Sequence, residues 1–238
     1  KFENYIRYQN MNIIIIGATS GIGYKLWKHY TTNGNTTAIV GRRNEILLQQ
    51  IKEKPDNTLA FQCDIAEPSS FNSMLKNVMS KFGHLDLAII CAGIGNLNPN
   101  LELSTELATI SVNVNGWTNA VNSIYKIFEQ QKLGHLVIIT SIGGMQPTPI
   151  APSYSASKAF QINYTKSLQQ KSKGSSIVVT EIRPGLVDTR MAKGEGLFWV
   201  MPLDKVVKKI IVAINNKNKL KIVTTRWRII NWALKHFM

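Results

Sequence analysis

Tyr154 and Lys158 stand four residues apart in a segment with helical patterning, Ser153 to about Gln170, so their side chains share one face. A phenol with a reference pKa of about 10 is a poor proton donor or acceptor at neutrality. An ammonium beside it favours the phenolate, lowers that pKa and makes proton exchange with an alcohol or carbonyl practical. Ser141 follows the apolar run Leu136 to Thr140, where its hydroxyl can hydrogen-bond the same substrate oxygen. Tyr-x-x-x-Lys alone is equally an ordinary pair on a helix surface. A second feature upstream changes its meaning.

That feature is the run from Met11 to Gly23. Ile13 to Ile16 read as a fully buried strand, because β-branched side chains pack well on a pleated surface. Gly17, Gly21 and Gly23 follow, letting the backbone turn tightly and approach a ligand closely. A helix pattern comes next, and its first N–H groups can stabilise an anion. Set between a buried strand and a helix, the turn favours a dinucleotide pyrophosphate over a plain chain reversal.

The remaining elements alternate. Thr36 to Val40 read as a second strand, Asn44 to Lys54 as a helix closed by Pro55, and Leu59 to Cys63 as a third strand. Pro68 to Phe82 is helical, with Phe71, Leu75, Val78 and Met79 on one side, and Leu87 to Cys91 is the fourth strand. A polar loop, Gly95 to Leu101, leads to Ser104 to Ile110 and then to a long helix around Thr118 to Gln131. After the strand at Leu136 and the helix of Tyr154 come a sixth strand, Ser176 to Ile182, and Pro184-Gly185. Asp188 to Pro202 reads as loop or short helix, Val206 to Ile214 as helix, and Leu220 to Thr224 as a final strand. This order implies an α/β Rossmann-type doubly wound parallel sheet of seven strands with helices on both faces. One domain spans residues 11–224, preceded by residues 1–10 as an extension or cloning remnant and followed by an amphipathic helix over 225–238.

Taken together, these motifs resemble the short-chain dehydrogenases/reductases, from Met11 to about Thr224. Gly17, Gly21 and Gly23 fill the glycine places of that family's TGxxxGxG turn, with Ile16 where the family has threonine. Asp64 is similar to the aspartate that contacts the adenine ring. Cys91-Ala92-Gly93 takes the place of Asn-Ala-Gly, so cysteine replaces a structural asparagine. Asn113 matches the catalytic asparagine, Ser141 lies thirteen residues before Tyr154, and Tyr154-Ser155-Ala156-Ser157-Lys158 matches the catalytic segment. Pro184-Gly185 with Val187 and Thr189 looks like the loop that holds the nicotinamide end.

The resemblance implies roles. Tyr154 is the general acid in carbonyl reduction and the general base in alcohol oxidation. Lys158 lowers its pKa and binds the nicotinamide ribose, and Ser141 polarises the substrate oxygen. Asn113 holds a backbone kink and a water in a proton relay. The implied dinucleotide site comprises Gly17, Thr19, Ser20, Gly21, Ile22, Gly23, Arg42, Arg43, Asp64, Ile65, Cys91, Ala92, Gly93, Tyr154, Lys158, Pro184, Gly185, Val187 and Thr189. The hydride belongs to the cofactor, while the protein supplies position and electrostatics. The family also implies a homodimer or homotetramer built through the helices around Thr118 to Gln131 and Ser153 to Gln170.

Cofactor choice rests on the end of the second strand. NAD binding uses an acidic residue there to accept from the ribose hydroxyls. This chain has Gly41-Arg42-Arg43, and arginine pairs with a 2′-phosphate through its planar fork. Arg42 is the first choice, with Arg43 as helper or simply a solvated charge, and Ser20 can add a hydrogen bond. NADP(H) is therefore favoured over NAD(H).

Composition bounds the alternatives. With 28 Lys and Arg against 14 Asp and Glu, the net charge of +14 attracts polyanions in general, yet no zinc-finger spacing or nucleic-acid module accompanies it. Cys63 and Cys91 end apolar runs and read as buried free thiols in a reducing compartment. The four histidines show no ligand spacing, so no metal site is expected. The first ten residues lack the apolar stretch of a secretory leader, which points to the cytoplasm. Glu195 to Met201 is an apolar stretch that suits either a lid over an apolar substrate or a packed loop. The segment Thr225 to Met238, with Trp227, Trp232 and Phe237 beside basic residues, suits docking on its own domain, a partner subunit or an anionic membrane surface. These features imply an oxidoreductase for a small-molecule carbonyl or alcohol; a dinucleotide-binding sensor or scaffold without turnover is the alternative.

Overall fold

The structure is a computed structural model, describing residues 9–191 and 199–223. Its centre is the isoleucine run. Strand β1 (Asn12–Ile16) lies between β2 (Thr36–Gly41) and β4 (Leu87–Ile90), parallel to both. Alternation sends Ile13 and Ile15 to one face of the sheet and Ile14 and Ile16 to the other, each fully buried. Each such side chain contributes about 2 kcal/mol of burial, which holds the strand in the interior of the sheet.

The sheet has seven parallel strands in the order β3-β2-β1-β4-β5-β6-β7, with β3 (Thr58–Gln62), β5 (Leu133–Ile139), β6 (Ser176–Pro184) and β7 (Leu220–Val223) completing it. Helices α1 (Gly21–Thr32), α2 (Asn44–Glu53) and α7 (Leu203–Asn215) cover one face through Trp27, Leu47 and Ile210. Helices α3 (Pro68–Phe82), α5 (Trp117–Gln131) and α6 (Pro152–Lys171) cover the other through Phe71, Ile124, Phe128 and Leu168. The order reverses beside β1, between β1 and β4, and this switch point places the loops after those strands around one crevice.

Several boundaries differ from the sequence-based expectation. β5 begins at Leu133, because Leu133, Gly134 and His135 already pair with Ser176, Ile177 and Val178. β6 runs on to Pro184, which pairs with Val223 at the sheet edge. The largest difference lies between α4 (Leu103–Ile110) and α5. They are joined by a π-helical turn, Ser111–Gly116, into one helical run rather than two separate helices. Gly116 lies so close to the loop after β3 that a Cβ would strike the Ile65 carbonyl oxygen. The expected lid lies largely outside the described residues, as does the proposed terminal helix. Trp199 and Val200 are exposed, while Val187 and Met201 are bridged as parallel neighbours.

Candidate active site

The glycine turn forms where the ends of β1, β2 and β4 meet. Gly17 has φ +88°, its N–H donates to the Val40 carbonyl at 2.8 Å, and a Cβ there would sit 2.6 Å from the Ala92 nitrogen. Gly21 has φ +53° and faces Thr189, whose Cγ2 would lie 3.3 Å from an added Cβ. A Cβ on Gly23 would strike the Gly17 carbonyl oxygen. The turn thus takes glycine for conformation and for close approach. Helix α1 starts at Gly21, and Ser20 before it is extended and makes no side-chain capping bond. The first-turn amides of Gly21, Ile22 and Gly23 therefore remain available to an anion.

At the neighbouring corner Arg43 leans over this turn, with Nε and Nη2 donating to Thr19 Oγ1 at 3.1 and 2.8 Å. Arg42 instead faces Asp64, at 3.4 Å from Nη1 to Oδ2 in an exposed pair. Asp64 Oδ1 accepts from the Ala66 N–H at 3.0 Å and so shapes the entry to α3. Burial, then Arg190, then Arg42 push the Arg43 guanidinium below its ordinary pKa. Like charges so gathered are relieved by a bound polyanion, which fits a phosphorylated dinucleotide. Arg190 escaped sequence reasoning because it sits in a loop without pattern.

The end of β4 carries Cys91, Ala92 and Gly93 beneath the same crevice. Cys91 is only partly exposed and donates its N–H to the Ile16 carbonyl at 2.8 Å. Burial pushes its thiol up to about 12, with the Lys158 ammonium opposing. The Gly93 position is confined by Asn113 Oδ1 and Lys158 Nζ, which an added Cβ would approach to 3.2 and 3.4 Å.

Tyr154 and Lys158 project from α6 into this crevice. The Tyr154 ring lies between two glycines: a Cβ on Gly95 would be 2.9 Å from Cε2, and one on Gly143 3.2 Å from Cε1. Neither glycine looked functional in the sequence, where Gly95 was part of a polar loop and Gly143 opened another. Ser141 faces the same Gly143 position as the Tyr154 ring, 3.4 Å from the added Cβ to its Oγ, and that Oγ accepts from the Gly143 N–H at 3.0 Å. Burial raises the Tyr154 pKa, and Ser141 opposes that rise. Lys158 is 5% exposed, and burial lowers its pKa to about 8. Its Nζ stands 5.9 Å from the Tyr154 ring centroid, over the ring. The spacing to Lys158 leads one to expect a lowered phenol pKa; the direction found is upward, caused by burial, and the group that opposes it is Ser141.

Asn113 sits in the π-helical turn, fully buried. Its Oδ1 accepts from the Ile94 N–H and its Nδ2 donates to the Ile94 carbonyl, both at 2.8 Å, and Nδ2 also reaches Ser157 Oγ at 3.1 Å. Pro184 ends β6, Gly185 donates to the Val223 carbonyl at 2.9 Å, Val187 is buried, and Thr189 closes on Gly21. Ile65 is buried and its carbonyl abuts Gly116. Gathered around one crevice are therefore the glycine turn, both arginines, the β4 end and the Ser-Tyr-Lys-Asn set. Among the described residues, no group of three or more His, Cys, Asp or Glu could hold a metal ion, and no helix is long and apolar enough to cross a membrane.

Known proteins resemble this chain in sequence and in fold. An uncharacterised oxidoreductase of Staphylococcus epidermidis is 29% identical over 183 residues, covering 76% of this chain and 80% of the relative. An NADP-dependent 3-hydroxy acid dehydrogenase of Salmonella typhi is 27% identical over 180 residues, covering 74% and 73%. A serine dehydrogenase solved in its closed form with NADP+ superposes with a TM-score of 0.78 at 22% identity, over 84% of this chain and 87% of that one. The short chain dehydrogenase family matches residues 11–197, a span that holds every glycine of the turn, Asn113, Ser141, Tyr154 and Lys158. By that match the chain belongs to the short-chain dehydrogenases, a family of oxidoreductases.

Proposed function

We propose that this chain is an NADP(H)-dependent oxidoreductase acting reversibly on a carbonyl or secondary alcohol. The observation that carries the reading is the grouping of the half-buried Tyr154 with Ser141, beside it across Gly143, and with the Lys158 ammonium 5.9 Å from its ring centroid. The nicotinamide supplies the hydride when bound. In reduction, Tyr154 gives its proton to the substrate oxygen as the carbonyl carbon becomes an alcohol carbon. In oxidation, the phenolate takes that proton back. Ser141 holds the same oxygen, and the Lys158 ammonium favours the anionic phenol while reaching ribose hydroxyls. Raised by burial, the Tyr154 phenol is protonated at neutrality and ready as an acid for the reductive step.

Gly17, Thr19, Ser20, Gly21, Ile22 and Gly23 would hold the pyrophosphate. Asp64 and Ile65 would flank the adenine, Cys91, Ala92 and Gly93 the ribose, and Pro184, Gly185, Val187 and Thr189 the nicotinamide. Arg42 and Arg43 would receive the 2′-phosphate, and the NADP dependence of the Salmonella relative supports that choice. Leu103, Leu107 and Ile110, exposed on one side of α4, together with Phe160 on α6, support a homodimer or homotetramer. A small-molecule carbonyl or alcohol is the substrate class, and a cytoplasmic setting matches a reducing pool of NADPH.

The test is NADPH oxidation across a panel of ketones, aldehydes and keto acids. Turnover with at least one class is expected. Tight NADPH binding with no oxidation anywhere on the panel would favour a dinucleotide-binding sensor or scaffold instead.

A further inference from the structure

Lys158 meets a hydrogen-bond acceptor that no motif announces. Gln161 lies one turn further along α6 and is fully buried. Its Oε1 accepts from Lys158 Nζ at 2.9 Å, and its Nε2 donates to the backbone carbonyl of Asn113 at 2.8 Å. We propose that Gln161 is a positioning residue, a rigid amide bridge that fixes the Lys158 ammonium to the π-helical turn at Asn113. Its consequence for turnover rests on the oxidoreductase reading above; the bridge itself does not.

The chemistry of the bridge fits glutamine. A primary amide accepts at one end and donates at the other within one plane. Here the oxygen must face the ammonium, because the reverse orientation would set donor against donor and carbonyl against carbonyl. The Asn113 carbonyl is reachable because a π-helical turn departs from the regular backbone bonding of an α-helix. That carbonyl has two lone pairs, so the bond from Gln161 leaves one free for a further donor. On its own helix Gln161 is steadied further, since Thr165 Oγ1 donates to its backbone carbonyl at 2.6 Å.

The bridge also bears on charge. The titratable groups facing Lys158 Nζ among the described residues are Tyr154, on the same helix, and Cys91, at the end of β4. Both are neutral near pH 7: burial raises the Tyr154 phenol and pushes the Cys91 thiol up to about 12. With no carboxylate paired to it, the buried ammonium is held by an oriented dipole, that of Gln161. A hydrogen bond to a charged group in a dry site is worth more than one between neutral groups, so its removal must register in the lysine. Glutamate at the same position would supply an anion and act in the opposite sense.

The test measures Lys158 directly, in protein carrying isotope-labelled lysine and no dinucleotide, by following its side-chain resonance with pH. Gln161→Met, close to glutamine in volume, should move the Lys158 midpoint down from about 8 by roughly one pH unit. Gln161→Glu should move it up. In turnover, Gln161→Met should lower kcat by roughly tenfold with KM changed by less than about threefold, the pattern of a lost transition-state interaction. The rising limb of its alcohol-oxidation pH profile should shift to higher pH, since the phenolate loses cationic support. Unchanged midpoints in both folded variants, or shifts of the same sign in both, would overturn the bridge. If the midpoints shift oppositely while the wild-type protein oxidises no NADPH, the bridge stands and the oxidoreductase reading falls. Turnover with unmoved midpoints separates them the other way.

Discussion

Asn113 and Ile94 exchange a pair of hydrogen bonds, each 2.8 Å, in which one side chain satisfies both the N–H and the C=O of the loop after β4. The side chain acts as one rung of a strand where no strand exists. It ties the crevice floor to the π-helical turn, and through Ser157 Oγ to the helix that carries Tyr154. Two backbone groups thus depend on a single amide, while the Ser157 hydroxyl it also reaches donates in turn to the Tyr154 carbonyl at 2.8 Å.

Asn113→Ala should therefore destabilise the fold by about 2–4 kcal/mol, since it orphans several polar groups at once. Asn113→Asp keeps the acceptor for the Ile94 N–H and loses the donor, so it should fall between. Urea unfolding of the three proteins checks the order. Equal midpoints for Asn113→Ala and the native protein would show that the loop satisfies itself.

Cofactor preference follows from the corner where Arg42, Arg43 and Thr19 meet. Arg43→Ala and Arg42→Ala should each weaken NADPH binding by about tenfold more than NADH binding, because the difference between the ligands is one phosphate. Arg43→Ala also frees Thr19, so some loss of NADH affinity should accompany it alone. Calorimetric titration with both dinucleotides checks this. Equal losses for the two ligands in both variants would reduce the arginines to a general electrostatic attraction.

His135 gives the protein an acid-sensitive point far from the catalytic groups. It is 4% exposed on β5, its Nε2 lies 2.9 Å from Thr180 Oγ1, and burial, with Lys217 assisting, lowers its pKa to about 4. The unfolded chain binds this proton near pH 6.5 and the folded chain only near pH 4. Stability contributed by the neutral imidazole is thus present above pH 6.5 and falls away as the pH drops towards 4, by up to about 3 kcal/mol. In His135→Gln the slope of stability over that window should flatten. A slope unchanged by the substitution would assign acid sensitivity to other groups.

Much of the scaffold was legible because the signals were local. Ile13 to Ile16 could only be a buried strand, and the glycines after it had to turn. The helical run from α4 to α5 was read as broken because Val112-Asn113-Val114-Asn115-Gly116 is poor in helix formers, yet packing of Val112 and Asn113 holds it. Tyr154, Lys158, Ser141 and Asn113 were found by their spacing. Gly95, Gly143 and Gln161 were not, because their roles come from contacts across the fold: Gln161 and Asn113 are 48 residues apart. The direction of the Tyr154 shift was missed for a related reason. Spacing reveals the ammonium nearby, whereas the burial that raises the phenol exists only in the assembled crevice.

The central claim is that Tyr154 exchanges the proton that accompanies hydride transfer. Its most direct test compares NADPH oxidation by the native protein and Tyr154→Phe, with one active carbonyl substrate at saturating concentrations. The account predicts a loss of kcat of about a thousandfold or more, with NADPH affinity within about threefold of native. Comparable kcat in the two proteins would contradict it.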